Sequence, residues 1–397
     1  MFCRITVSTR RIAAFLMTLM LFSGMFTGCG SVAAPVGSSM GTSDTNAPQA
    51  SSESASPVTT PEATASTDVA SQPVPSPAEP VVRTDYAAFS PNELGRVPVI
   101  MFHKFAESFD EVKDKNYTCT FSQFDALLQT LYDADFRLVS MTDWLAGRIA
   151  VPAGKKPAVF TFDDGTASQF SLVDANGTLD INPDCAVAHM IAFAAAHPDF
   201  GLEGTFYLTL DMGENTFRGA GTLKERLDRL SALGLEAGSH TWGHVDFTAK
   251  GTAADIQAAL GKNQQAYEKI DPAGMLRTLA LPYGSRPKNK DNRPYLAAGE
   301  WEGTSYRHDG VLAVGAGPSP MVYDKRFDAL YISRVRATGM VGAEADLDWW
   351  LSEAGAKTWY VSDGDPETIV VPQGGDENLD EAKSDGFRVV RYEPAVP

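Results

Sequence analysis

Residues 158–165 read Ala-Val-Phe-Thr-Phe-Asp-Asp-Gly: an apolar run, then two adjacent acids, then glycine. A short apolar run closed by a turn signal reads as a buried strand. Two carboxylates at its end repel each other and are costly to desolvate, so a fold keeps them when a cation or a division of roles compensates. Working outward, Val97 to Phe102 reads as another strand, and Phe121 to Ala134 as a helix with Phe124, Leu127, Leu128 and Leu131 on its apolar face. Ala186 to Ala196, Gly204 to Leu210 and Leu223 to Leu233 continue as helix, strand and helix. Leu235 to Ala237, Ala253 to Ile270 and Arg277 to Leu281 follow as strand, helix and strand. This alternation predicts an α/β fold around a mostly parallel sheet, with a (β/α) barrel as first choice, and sites on such folds gather at the carboxyl ends of strands.

Those strand ends carry unusual residues. The first delivers His103, the second Asp163 and Asp164, the stretch Leu235 to Ser239 delivers His240 and His244, and Arg277 to Leu281 leads into Pro282-Tyr283-Gly284. Two imidazoles four residues apart aim at one point, and a carboxylate completes a facial set of three metal ligands with positions left open for chemistry. Taken singly, the acids read as a solvated turn, the histidine pair as surface residues, His103 as core and Pro-Tyr-Gly as a turn. Taken together they do not, because three of the six histidines in the chain fall at expected strand ends beside the paired acids.

Thr161-Phe-Asp-Asp-Gly165, Ser239-His-Thr-Trp-Gly-His244 and Leu281-Pro-Tyr-Gly284 resemble, in order and spacing, the first three motifs of the polysaccharide deacetylases, the NodB homology domain of carbohydrate esterase family four. The resemblance covers roughly Val97 to Gly339. It implies a distorted (β/α) barrel that hydrolyses N-acetyl groups of a polymer with one divalent metal, zinc first, with cobalt, nickel or manganese also open. Carried over, Asp164, His240 and His244 are metal ligands, Asp163 is the general base, and the backbone N–H of Tyr283 helps hold the tetrahedral oxyanion. One acid binds the metal while the other takes a proton from water, which answers why the two stand together.

The chain departs from that pattern twice. The third motif usually has arginine two residues before its proline, where this chain has Ala280, and the late Leu-His segment is replaced by Leu330-Tyr-Ile-Ser-Arg-Val335. "VPVIMFHKF" and "LALPYG" resemble the branch that includes biofilm poly-N-acetylglucosamine deacetylases, where the acid histidine comes from an early strand, which implies His103 as the general acid. Arg277 and Arg334 are the candidates to orient Asp163. Trp242, between the two histidines, and Pro282 are candidate substrate contacts, His308 reads as a surface loop residue, and Trp349 and Trp350 read as the apolar face of a helix.

The globular part is expected over residues 93–397. Residues 1–28 carry Arg4, Arg10 and Arg11, then the apolar run Ile12 to Phe22, and read as a secretory signal. Small residues followed by Cys29 resemble a bacterial lipoprotein signal, with Cys29 the lipidated residue and the protein anchored to the outer face of the cell membrane. Residues 29–92 are expected to be a Ser/Thr/Pro/Ala-rich tether, and a coil of roughly 50 such residues spans about 40 Å. Losing the three arginines of residues 1–28, where no acid stands, takes the formal charge from −17 to −20. Such a surface argues against nucleic acid and anionic lipid as partners and leaves an N-acetylated polysaccharide as the expected one. Cys119 and Cys185 are left in the globular part and could pair outside the cytoplasm. Competing readings are an O-acetyl esterase of the xylan type on the same fold, a catalytically impaired glycan-binding lipoprotein, and a non-haem iron oxygenase.

Overall fold

The structure is a computed structural model that describes residues 83–110, 112–315, 317–337, 346–352 and 359–394. The residues expected to form a signal, Cys29 and most of the expected tether lie outside the described residues. Eight strands form the central sheet: β1 Val99–Phe102, β2 Phe136–Leu138, β3 Lys156–Asp163, β4 Thr205–Leu208, β5 Glu236–Ser239, β6 Thr278–Ala280, β7 Gly310–Leu312 and β8 Val335–Arg336. They run parallel in the order β7-β6-β5-β4-β3-β1-β8, with β2 on the first half of β3. The two edges meet. Ile332 bridges Leu312 of β7 in parallel, and from three residues later β8 pairs with Ile100 and Met101 of β1. One stretch, 329–336, therefore closes a distorted barrel, as the alternation of elements predicts.

Between the strands run α1 Phe121–Asp133, α2 Met141–Ala146, α3 Ala186–Ala196, α4 Leu223–Ala232 and α5 Ala253–Glu268. α1, α4 and α5 each begin with a threonine whose hydroxyl accepts from the third helical N–H while the Gln, Glu or Asp there caps the threonine N–H in return. This reciprocal box fixes where each helix starts and is legible as T-x-x-Q/E/D. The expected helices match to within two residues; of the expected strands, those over 97–102, 204–210 and 277–281 are shorter in the structure, whereas the one expected over 158–162 runs from Lys156 to Asp163 and the one expected over 235–237 from Glu236 to Ser239.

Strand periodicity sorts β3 into two faces. Ala158, Phe160 and Phe162 join the layer under α1 and α3, where Phe162 stacks on Phe206 with ring centres 4.4 Å apart. Val159 joins Val99, Tyr207, Ala280 and Leu312 in the second core, so Thr161 and Asp163 share its side of the strand. The C-terminal region adds a two-stranded parallel sheet, Thr368–Pro372 with Arg388–Tyr392, at the amino end of the barrel. There Asn92 bridges Val361, and Arg83 N–H donates to the Asp363 carbonyl. Residues 83–92 thus belong to the folded unit rather than to the tether expected there. Cys119 and Cys185 are both buried, free thiols in one core and do not pair. No helix among the described residues is long and apolar enough to cross a membrane.

Candidate active site

The carboxyl ends of β1, β3, β4, β5 and β6 open into a cleft of about 730 Å³ whose walls include His103, Tyr117, Asp163, Asp164, Asp211, His240, His244 and Tyr283. The paired acids separate because the strand ends between them. Asp163 is the last strand residue and is buried, whereas Asp164 turns off at φ 80°. Thr241 (φ 67°), His244 (φ 47°) and Tyr283 (φ 59°) are left-handed as well. Such non-glycine backbone costs of order 1 kcal/mol or more at each position, and its clustering round one cleft marks a constrained site.

Asp164 Oδ1 lies 3.4 Å from His240 Nε2 and 3.5 Å from His244 Nε2. Ligand atoms about 2.1 Å from one ion at a tetrahedral angle stand about 3.4 Å apart, so the spacing suits a divalent cation. The hydrogen-bond pattern points the same way. His240 Nδ1 bonds the Ala280 carbonyl at 2.8 Å, which makes it the protonated nitrogen and leaves Nε2 a lone pair. That buried Nε2 has no hydrogen-bond partner among the described residues and faces a carboxylate oxygen, another lone pair. A divalent cation between them satisfies both lone pairs, as would a proton on Nε2. Burial disfavours charge on His240, but Asp163, then Asp164, outweigh it and raise its pKa, while burial and then His240 depress His244. Asn263 of α5 fixes these strand ends, accepting from Leu210 N–H and donating to the Leu208 carbonyl and Ser239 Oγ.

Asp163 does not join that set. Both its oxygens accept from Arg334, each at 2.7 Å, with the two side chains buried. Arg334 is itself aimed by its Nε donating to the Ala313 carbonyl at 2.7 Å and by Nη1 reaching Thr161 Oγ1 at 3.3 Å. Burial alone raises the Asp163 pKa; the Arg334 guanidinium, with His240 and His103, overcomes it and holds the carboxyl well below the ordinary range. The arginine absent from position 280 is thus supplied from the segment that closes the barrel. Ala280 keeps a different part, since its carbonyl orients His240.

On the other flank His103 Nε2 lies 3.8 Å from Asp163 Oδ2, and the Tyr117 ring meets the imidazole edge-on at 4.8 Å. Burial lowers the His103 pKa, partly offset by Asp163 and Asp164. Tyr283 is 69% exposed, with its ring 4.7 Å from that of His244.

Other expected residues go elsewhere. Trp242 packs on the core and does not line the cleft, and Pro282 is buried beneath it. Each belongs to a turn whose left-handed residues direct its neighbours, Gly243 and Tyr283, into the cleft instead. Arg277 pairs with Asp309 on the surface. His308 is buried, not a surface residue: its Nδ1 bonds the Leu296 carbonyl, and burial depresses its pKa to about 4. Trp349 is 44% exposed because its helix, Leu347–Leu351, is little more than one turn and buries Leu347 instead. Sequence reasoning missed Gln169, Asn263 and Tyr117. The first two carry the signal of a buried amide, which is visible once burial is known.

Residues 150–295 match the family model described as polysaccharide deacetylase. Among solved structures, the deacetylase PplD of Streptococcus pyogenes, in complex with acetate, is similar at 15% identity over 61% of this chain and 92% of that one, with a TM-score of 0.45. A polysaccharide deacetylase from Bacillus cereus is similar at 20% identity over 61% of this chain and 64% of that one, with a TM-score of 0.43. A de-N-acetylase from Aggregatibacter actinomycetemcomitans is similar at 14% identity over 60% of this chain and 94% of that one, with a TM-score of 0.41. No curated protein sequence matches the chain.

Proposed function

We propose that this chain, which carries a polysaccharide deacetylase domain and is a hydrolytic deacetylase, removes N-acetyl groups from an N-acetylglucosamine-containing polymer outside the cytoplasm, releasing acetate. The observation that carries the reading is the position of Asp163, fixed by Arg334 between the Asp164–His240–His244 set and His103 in one cleft.

Asp164, His240 and His244 would hold one divalent cation, zinc before cobalt or nickel, which supplies Lewis acidity toward water and the acetamide carbonyl. Asp163 takes the proton of the attacking water. A carboxylate held ionised by Arg334 is a weak base, which suits a water whose pKa a cation held by Asp164, His240 and His244 would lower, and Asp163 lies beside that set. His103 delivers a proton to the departing nitrogen, so that amide and water leave as acetate and amine. The Tyr283 N–H donates to the oxyanion. The signal-like residues 1–28, Cys29 and the tether support a lipid-anchored enzyme facing away from the cytoplasm, with the polymer as partner. Arg334 removes the main ground for an impaired glycan binder, which was the alanine at position 280.

The test is acetate release from N-acetylglucosamine oligomers by residues 81–397, with bound metal measured in parallel. Metal-dependent acetate that is lost in Asp163→Asn, with metal retained, supports the reading. Release from acetylated xylan alone would move the bond to an O-acetyl ester, and stoichiometric metal with no acetate from either would leave a glycan-binding protein.

A further inference from the structure

The turn that follows the paired acids, Thr166-Ala-Ser-Gln169, reaches back across the sheet to the segment after β1. Gln169 is fully buried, and its Nε2 donates both to the His103 carbonyl and to the Asp163 carbonyl. The amide orientation is fixed, because the opposite one would set Oε1 against two carbonyl oxygens. Its Oε1 has no hydrogen-bond partner among the described residues, so the side chain is held in place by its two N–H bonds. Two further bonds follow the same path: Thr166 Oγ1 donates to the His103 carbonyl at 3.4 Å, and Ser168 Oγ accepts from Phe105 N–H at 3.0 Å. Thr166 and Ser168 are themselves joined at 3.2 Å.

The physical need is clear from the strand pattern. β1 and β3 pair from Val99–Val159 up to Phe102–Phe162, and the regular ladder stops one residue short of His103 and Asp163. Past that point the two strands no longer pair with each other; Asp163 is held only on its far side, by Tyr207 of β4, and the His103 end would be free to fray. A single amide bonded to both carbonyls restores the lost rung and fixes the separation of the two side chains, now 3.8 Å between Nε2 and Oδ2.

We infer that Gln169 is a positioning residue of the reaction, locking the strand end that carries His103 to the strand end that carries Asp163. The inference rests on the deacetylation reading above. A misplacement of the order of 1 Å in reacting groups lowers rates about 100-fold, so Gln169→Leu, which keeps the bulk and removes the donor, lowers kcat at least about tenfold, with KM and bound metal unchanged. Gln169→Glu, which presents oxygen to both carbonyls, does the same. In a His103→Ala background the added effect of Gln169→Leu shrinks to about twofold or less, because the group it positions is gone. A purely structural role would not give that non-additivity; it would lower the melting temperature and leave kcat per metal-loaded molecule intact.

The experiment measures kcat, KM, metal content and melting temperature for wild type, both Gln169 variants, His103→Ala and the double variant on N-acetylglucosamine oligomers. Unchanged kcat in Gln169→Leu, or full multiplication of its effect with that of His103→Ala, overturns the inference while an active wild type keeps the deacetylation reading. A wild type that releases no acetate overturns both. If the Gln169 variants do not fold, Ser168→Ala, which removes the bonds to Phe105 N–H and Thr166 Oγ1, carries the same comparison: a severalfold loss of kcat that vanishes with His103→Ala supports the inference, and an unchanged kcat overturns it.

Discussion

Arg334→Met is the substitution that tests the relocated arginine most directly. It removes both 2.7 Å bonds to Asp163 and leaves a buried carboxylate with His103 Nε2, 3.8 Å away, beside it. Removing one partner of a buried pair costs roughly 3–5 kcal/mol, because the remaining charge is uncompensated, which for a domain of this size lowers the melting temperature by on the order of 10 °C. The pH dependence has a definite sign. The folded-state pKa of Asp163 lies below its unfolded value, so the pair contributes stability that is fully present above about pH 4 and is lost as pH falls through the folded pKa. Without Arg334 burial is offset only by His240 and His103, the folded pKa rises, and the acid limb of the rate profile moves to higher pH. Asp163→Asn/Arg334→Met loses both charges together and should be destabilised by less than the sum of the single variants, a coupling of a few kcal/mol. Urea melts give the stabilities, and acetate release against pH gives the limb. An Arg334→Met protein with wild-type melting and an unmoved acid limb would falsify the assignment of Arg334 as the group that holds the base.

His240→Ala should lose both bound metal and turnover, whereas His103→Ala should keep the metal and lower kcat by about 100-fold or more; metal analysis beside acetate release separates the two, and normal turnover in His103→Ala would remove it from the mechanism. Glu93 joins the two ends of the folded unit, its oxygens accepting from Tyr360 Oη, Asp363 N–H and Val370 N–H, and burial, reinforced by Asp363, pushes its pKa up to about 8. A folded pKa above the unfolded value means that the folded state binds the extra proton. Its contribution to stability is therefore present below about pH 4.5 and lost as pH rises toward 8, with a slope of at most about 1.4 kcal/mol per pH unit. Melts of wild type and Glu93→Gln across pH 5 to 8 read this directly, and identical slopes in the two would refute it.

The sequence alone determined the parts of this protein that depend on local periodicity and on residue type at strand ends. Apolar runs alternating with helical patterns gave the parallel barrel, and T-x-x-Q/E/D boxes and turn residues set the helix starts, because backbone preference and amphipathicity act over a few residues. The same locality made Asp163, Asp164, His240, His244 and Tyr283 legible, since each stands next to the strand that carries it. His103 was legible as a strand-end histidine, and the role proposed for it came only with the motif layout. What the tertiary structure decided was long-range. Arg334 stands 171 positions from Asp163 in the chain, and nothing in "YISRVR" says that its guanidinium points into the barrel rather than to solvent; that follows from where 329–336 bridges the two sheet edges. Nothing in the sequence sets Gln169 apart from a polar turn residue, and its two bonds follow only from its burial. Trp242 and Trp349 were misplaced for the related reason that the direction of a side chain depends on one left-handed residue or on the length of a helix. Ala280 shows the division most clearly. The sequence registers a missing arginine, and only the closed barrel shows the space filled from the opposite side, because any strand lining a barrel can deliver a side chain to its centre.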